Sequence, residues 1–190
     1  KGDEQYKAGH TLKRIRMIIK TLVHQVDILE TLTPLEFTSF RSALARSSGF
    51  QSAQFREIEF LYGQKDASKL AAFEGEPQYI DALQARLDAP SIWDLFIKFL
   101  ERQQLDVGTD QALRATLISL YSQRPELANL CELFVDLDEG IQEWRYRHVK
   151  MVERTIGGKM GSGGSEGVGY LAKTLFNPMF PLLWEIRNDF

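Results

Sequence analysis

Leu137, Ile141, Trp144, His148, Met151 and Thr155 recur at steps of four, three, four, three and four. A helix turns once every 3.6 residues, so this spacing puts all six on one helical face. Pro125 suits a first helical turn, and Leu130, Leu133 and Phe134 extend the apolar face. The pattern predicts one long helix from Pro125 through His148 to Ile156. Gly157 and Gly158 end it, because glycine takes the left-handed C-cap without a Cβ penalty. Six glycines fall between Gly157 and Gly167. Such a loop suits either close approach of bare backbone to a ligand or a movable lid. One histidine, His148, sits on the apolar stripe, with Arg145 and Arg147 beside it.

The rest of the chain reads in the same period. Leu12, Ile15, Ile19, Leu22, Val26 and Leu29 predict an amphipathic helix from about Thr11 to Thr31, with Lys13, Arg14, Arg16 and Lys20 on its solvated face. Thr33-Pro34-Leu35-Glu36 is a capping-box start for a helix carrying Phe37, Phe40, Arg41 and Leu44, broken at Ser47-Ser48-Gly49-Phe50. A helix with Phe55, Ile58, Glu59 and Leu61 ends near Gly63. Short helices follow from Lys69 to Leu87, interrupted at Gly75 and Pro77. A second capping box at Ser91 and Asp94 opens a helix with Phe96, Phe99 and Leu100 inward. Ala112 to Tyr121 and Tyr170 to Phe176 are helical, and a last short turn surrounds Trp184. No segment alternates with period two, so the expected class is all-α, a helical bundle without a sheet.

At 190 residues the chain is expected to form one domain, residues 1–190, with a substantial core. The net charge of −3 offers no global attraction to nucleic acid or anionic membrane, and no nucleic-acid or membrane partner is expected. A single cysteine, Cys131, excludes an intrachain disulfide and suits a reducing cytoplasm. No apolar run is long enough to span a bilayer. The first residues, KGDEQYKAGH, run into a helix without a Met, and a preceding segment is expected.

From the residues alone, His148 is either a hydrogen-bonded core histidine or a ligand for a metal or haem. Zinc is disfavoured, because there is no Cys/His pair at finger spacing and no H-E-x-x-H. Haem needs only one protein histidine. Arg145 and Arg147 suit either haem propionates or surface ion pairs. Arg41 lies one turn after Phe37, which by itself reads as a surface arginine beside core aromatics. The glycine loop is not a P-loop: Met160 follows Lys159 where Ser or Thr is needed, and a helix precedes it instead of a strand.

RYRHVKMVERTIGGKMGSGGSEGVGYL resembles the C-terminal signature of the tryptophan 2,3-dioxygenases. FTSFRSALARSSGFQSAQFREIEFLYG resembles the family's other signature, and FPLLWEIRNDF fits its tail. The resemblance runs from about Leu29 to the end. It implies haem b between helices, with His148 as proximal ligand of the iron. It implies that Arg41 binds the substrate carboxylate and that Phe37 borders the indole. Ser48, Gly49 and Phe50 would line the haem pocket. The glycine loop would be a lid, where Ser162 replaces the usual threonine and keeps its hydroxyl. Glu166 replaces a usual serine. The family also carries an N-terminal distal histidine. No HDE- or HHE-like motif occurs here, so no catalytic residue is expected within these positions. The implied reaction opens the indole ring of L-tryptophan with O2 to give N-formylkynurenine, the first step of the kynurenine route, in a cytoplasmic homotetramer. A non-catalytic haem sensor or carrier of the same fold is the alternative, and a plain helical interaction module is a further one.

Overall fold

The computed structural model describes residues 2–44, 52–159 and 168–190. Nine α-helices occur among them: α1 (Gly2–Leu29), α2 (Pro34–Arg41), α3 (Ala53–Tyr62), α4 (Pro77–Asp88), α5 (Ile92–Arg102), α6 (Asp110–Gln123), α7 (Pro125–Ile156), α8 (Val168–Lys173) and α9 (Pro181–Glu185). Short 3-10 turns cover Ser42–Leu44, Ala67–Phe73 and Ile186–Asp189. There is no strand among the described residues. The protein is all-α. It sorts into two compact units, residues 1–48 with 132–178 and residues 49–131 with 179–190. The long helix α7 contributes to both.

In the first unit α1 and α7 run parallel. Arg16 pairs with Asp136 at 3.2 Å, and Arg147 bonds Asp27 at 2.5 Å and Glu30 at 2.9 Å, so both helices advance together. Between these pairs Gly140 meets Ile19: a Cβ on the glycine would stand 3.0 Å from Ile19 Cγ2. A glycine inside a helix costs propensity, and here the missing side chain admits the isoleucine. Leu12, Ile19, Val23 and Val26 of α1 are buried, as are Leu133, Phe134, Leu137, Ile141 and Val149 of α7.

The apolar face of α1 lies slightly to one side of the predicted stripe. Val23 is buried, whereas Leu22 and Leu29 are exposed. The helix also begins nine residues earlier than Thr11, at Gly2. Polar contacts support this exposed first stretch: Lys7 bonds Asp3 at 2.6 Å, one turn apart, and Tyr6 stacks on His10. The segment from Tyr170 is helical only to Lys173, then continues in turns toward Pro178.

In the second unit Phe60, Phe73 and Leu83 form a core with Ala53, Leu70, Ile80 and Leu87 around it. Phe180 packs against Tyr62 and Trp93, each with ring centroids 5.8 Å away. Lys65 closes the C-terminus of α4, donating from Nζ to the carbonyl oxygens of Arg86, Leu87 and Ala89 at 2.7, 2.7 and 2.5 Å. Those carbonyls have no intrahelical partner, and the helix dipole favours a cation there. Both capping boxes form. Glu36 N–H donates to Thr33 Oγ1 at 3.3 Å while Thr33 N–H donates to Glu36 at 2.7 Å. Asp94 N–H donates to Ser91 Oγ at 3.1 Å while Ser91 N–H donates to Asp94 at 2.8 Å. Gly63 ends α3 at φ 127°, a conformation only glycine takes without strain.

Candidate functional site

The stripe on α7 changes character along its length. Leu137 and Ile141 are buried, but Trp144, His148, Met151 and Thr155 are only half-buried. The apolar face thus continues toward the helix end after its cover thins. His148 lies in that second half. Its imidazole stacks nearly parallel on the indole of Trp144, with centroids 5.2 Å apart and planes 12° from parallel. Burial pushes its pKa below the ordinary histidine value, because removing water penalises the charged ring. The neutral ring keeps a lone pair on one nitrogen, the form that binds a metal.

These properties fit haem iron. No three His, Cys, Asp or Glu side chains gather as a metal cage among the described residues. A single imidazole suits haem, whose macrocycle supplies the equatorial donors. Apolar neighbours on the same face, Trp144 and Met151, suit a flat hydrophobic ring system.

The two flanking arginines take structural partners. Arg145 is buried and donates to the carbonyl oxygens of Thr174 at 3.2 Å and Asn177 at 2.8 Å. Arg147 pairs with Asp27 and Glu30 on α1. Surface ion pairing therefore describes Arg147. Arg145 fixes the chain beyond α8 to the middle of α7. Helix α7 thus ends at Gly157, with φ 62°, and the chain beyond α8 is held back on the same helix. A buried arginine was not foreseeable from periodicity, although its place beside His148 was a signal.

Arg41 ends α2, half-buried, one turn after Phe37. Phe37 is half-buried as well and meets Phe40 edge to face at 5.3 Å. The sequence suggested core aromatics here, but α2 has no buried residue and Phe40 is 40% exposed. Short helices bury little, and on this one Phe40 is exposed while Phe37 is half-buried. Phe37 and Arg41 stand together on α2, and His148 stands on α7. Ser48, Gly49, Phe50 and Ser162, with Glu166, lie outside the described residues. A shallow groove of about 460 Å³ lies beside Tyr146, Arg147, Lys150, Glu153, Arg154 and Glu30. It is on the opposite side of α7 from His148, and its charges are mutually paired.

The sequence matches a family model described as tryptophan 2,3-dioxygenase over residues 3–85 and 81–189. It is similar to a tryptophan 2,3-dioxygenase of Herpetosiphon aurantiacus, 46% identical over 202 residues, covering 100% of this chain and 77% of the relative. One from Anaeromyxobacter sp. is 48% identical over 198 residues, covering 96% and 74%. One from Nocardioides sp. is 43% identical over 192 residues, covering 99% and 72%.

Proposed function

The chain belongs to the tryptophan 2,3-dioxygenase family, and on that premise we propose how its residues serve the reaction. The protein is an oxidoreductase that uses O2 to open the indole ring of L-tryptophan, giving N-formylkynurenine. Both oxygen atoms enter the product as the C2–C3 bond is cleaved. The observation that carries this reading is the family match across nearly the whole chain.

Haem b is the cofactor, and His148 is its protein ligand. When bound, haem supplies the redox chemistry that lets dioxygen react with a closed-shell indole. The supporting observation is a half-buried imidazole on an apolar helix face, where burial lowers its pKa. Arg41 anchors the substrate carboxylate with two parallel hydrogen bonds, which suits a planar guanidinium. Phe37 borders the indole, and Ser48, Gly49 and Phe50 line the haem pocket. Ser162 in the glycine loop holds the amino-acid end of the substrate through its hydroxyl. The loop closes over the bound molecule and excludes water. Arg145 serves this closure by tethering the loop's far flank to α7. The working form is a cytoplasmic homotetramer.

The test is direct. Purified protein is loaded with haemin, reduced, and mixed with L-tryptophan and O2. Formation of N-formylkynurenine, followed by its absorbance, is the expected result. A stable Soret band without product would instead indicate a haem sensor or carrier.

A further inference from the structure

We propose that Trp144 is a positioning residue for His148, its indole face holding the plane of the imidazole that ligates iron. The inference rests on the reading of His148 as the haem ligand.

The geometry begins with the helix. Trp144 and His148 are four residues apart, and side chains on a helix lean back toward its N-terminus, so the imidazole is carried over the indole one turn below. The outcome is a stack at 5.2 Å and 12°. Rotation of an imidazole about its Cβ–Cγ bond is soft, with broad two-fold minima. A quarter turn would set the ring edge against the indole and discard the face contact. Metal-bound histidines usually fix this rotation by donating their second ring N–H to a carboxylate, carbonyl or water. Among the described residues, no hydrogen-bond acceptor is bonded to the His148 ring. The stack on Trp144 is the ring contact that the described residues give it.

Trp144 is itself well placed to be rigid. Its neighbours one turn back and one position on, Ile141 and Arg145, are buried. Arg145 is bonded to two backbone carbonyls. The indole thus projects from a stretch of α7 flanked by buried side chains.

The experiment uses the full chain loaded with haemin and reads two quantities besides turnover. One is the rate of haem loss to excess apomyoglobin. The other is the iron–histidine stretching band of the reduced protein in resonance Raman spectra. Trp144→Leu removes the flat face and should speed haem loss about tenfold, the lower end of what second-shell partners of metal ligands contribute. It should also shift or broaden the iron–histidine band. Trp144→Phe keeps a flat face and should stay near wild type in both. If Trp144→Leu loses helicity, Trp144→Met, unbranched and helix-favouring, takes its place with the same expectation.

Unchanged haem loss and an unchanged band in the Leu or Met variant would overturn the proposal. So would a Phe variant that behaves like Leu. His148→Ala separates this failure from that of the underlying reading. Haem held as tightly by His148→Ala as by wild type would remove His148 as the ligand, and with it the role of Trp144.

Discussion

A half-buried ionisable side chain is informative when its partners are few. Arg147 is held in a network with Asp27 and Glu30, and its charge is spent on α1. His148, its neighbour in sequence, has an aromatic face and no ionic partner among the described residues. Position on the stripe separated the two: residue 148 falls on the apolar face and residue 147 to one side of it. Arg41 sits between these cases, at the end of a short surface helix with an aromatic side chain one turn away. If it anchors the substrate carboxylate, Arg41→Ala leaves that carboxylate unpaired in an apolar site, at a cost of roughly 2–5 kcal/mol. L-tryptophan affinity, read from the perturbation of the Soret band, should fall by well over tenfold while haem content stays at the wild-type level. Wild-type affinity in the variant would remove Arg41 from the site. The role of Trp144 was harder to see in the sequence. It was visible as one more apolar stripe residue, and only the ring planes reveal that it stacks on the histidine.

Helix boundaries follow the local chemistry where that chemistry is strong. Thr33 with Glu36 and Ser91 with Asp94 start helices at the predicted residues, because each pair satisfies backbone donors that the helix leaves open. Ser91 is buried, so Ser91→Ala should cost about 1–2 kcal/mol, read as a lower urea midpoint. Hydrogen bonds from Ser91 hold the Asp94 carboxyl below the usual carboxylate range. A carboxyl whose pKa is lower in the folded state contributes stability above its unfolded pKa, about 3.9, and loses it as pH falls through the folded value. Asp94→Asn should therefore flatten the loss of stability below about pH 4 relative to wild type. An identical acid profile for both proteins would show that the box makes no pH-dependent contribution. The start of α1 was not legible, because Gly2 to His10 lacks an apolar stripe and is supported by side-chain pairs at the surface. Gly140 was equally silent. In the sequence it is a mild helix defect; in the structure it is the point where Ile19 approaches α7. Gly140→Val should destabilise by about 1–3 kcal/mol through overpacking. Gly140→Ala should change stability less, because about 1 kcal/mol of helix propensity offsets the close contact. Chemical denaturation of the two variants checks the order.

At the scale of the whole chain, periodicity is enough to read an all-α protein, because every long segment repeats at three and four and none at two. It is not enough to read the proposed site, since Ser48 to Phe50 and Ser162 fall where the sequence shows no helical stripe for periodicity to read. The long motifs compensate: residue order around His148 carries the family even where spacing alone leaves a core histidine as good an answer. That distinction can be measured on the intact protein without any turnover. A ligand that binds only the folded state stabilises it by RT ln(1 + [L]/Kd), about 2.7 kcal/mol at a free concentration one hundred times Kd. For a chain of 190 residues, about 2–4 °C of midpoint accompanies each kcal/mol. Haemin at that excess should thus raise the thermal midpoint by roughly 5–10 °C. The sign is fixed by mass action: the unfolded chain lacks an apolar pocket, so binding favours the native state. His148→Ala removes the proposed iron ligand and keeps the helix, so its midpoint without haemin should stay close to wild type. With haemin its rise should shrink to what apolar contact alone provides. Equal rises in both proteins would mean that the macrocycle is held by the apolar face without ligation, and that His148 is a core residue after all.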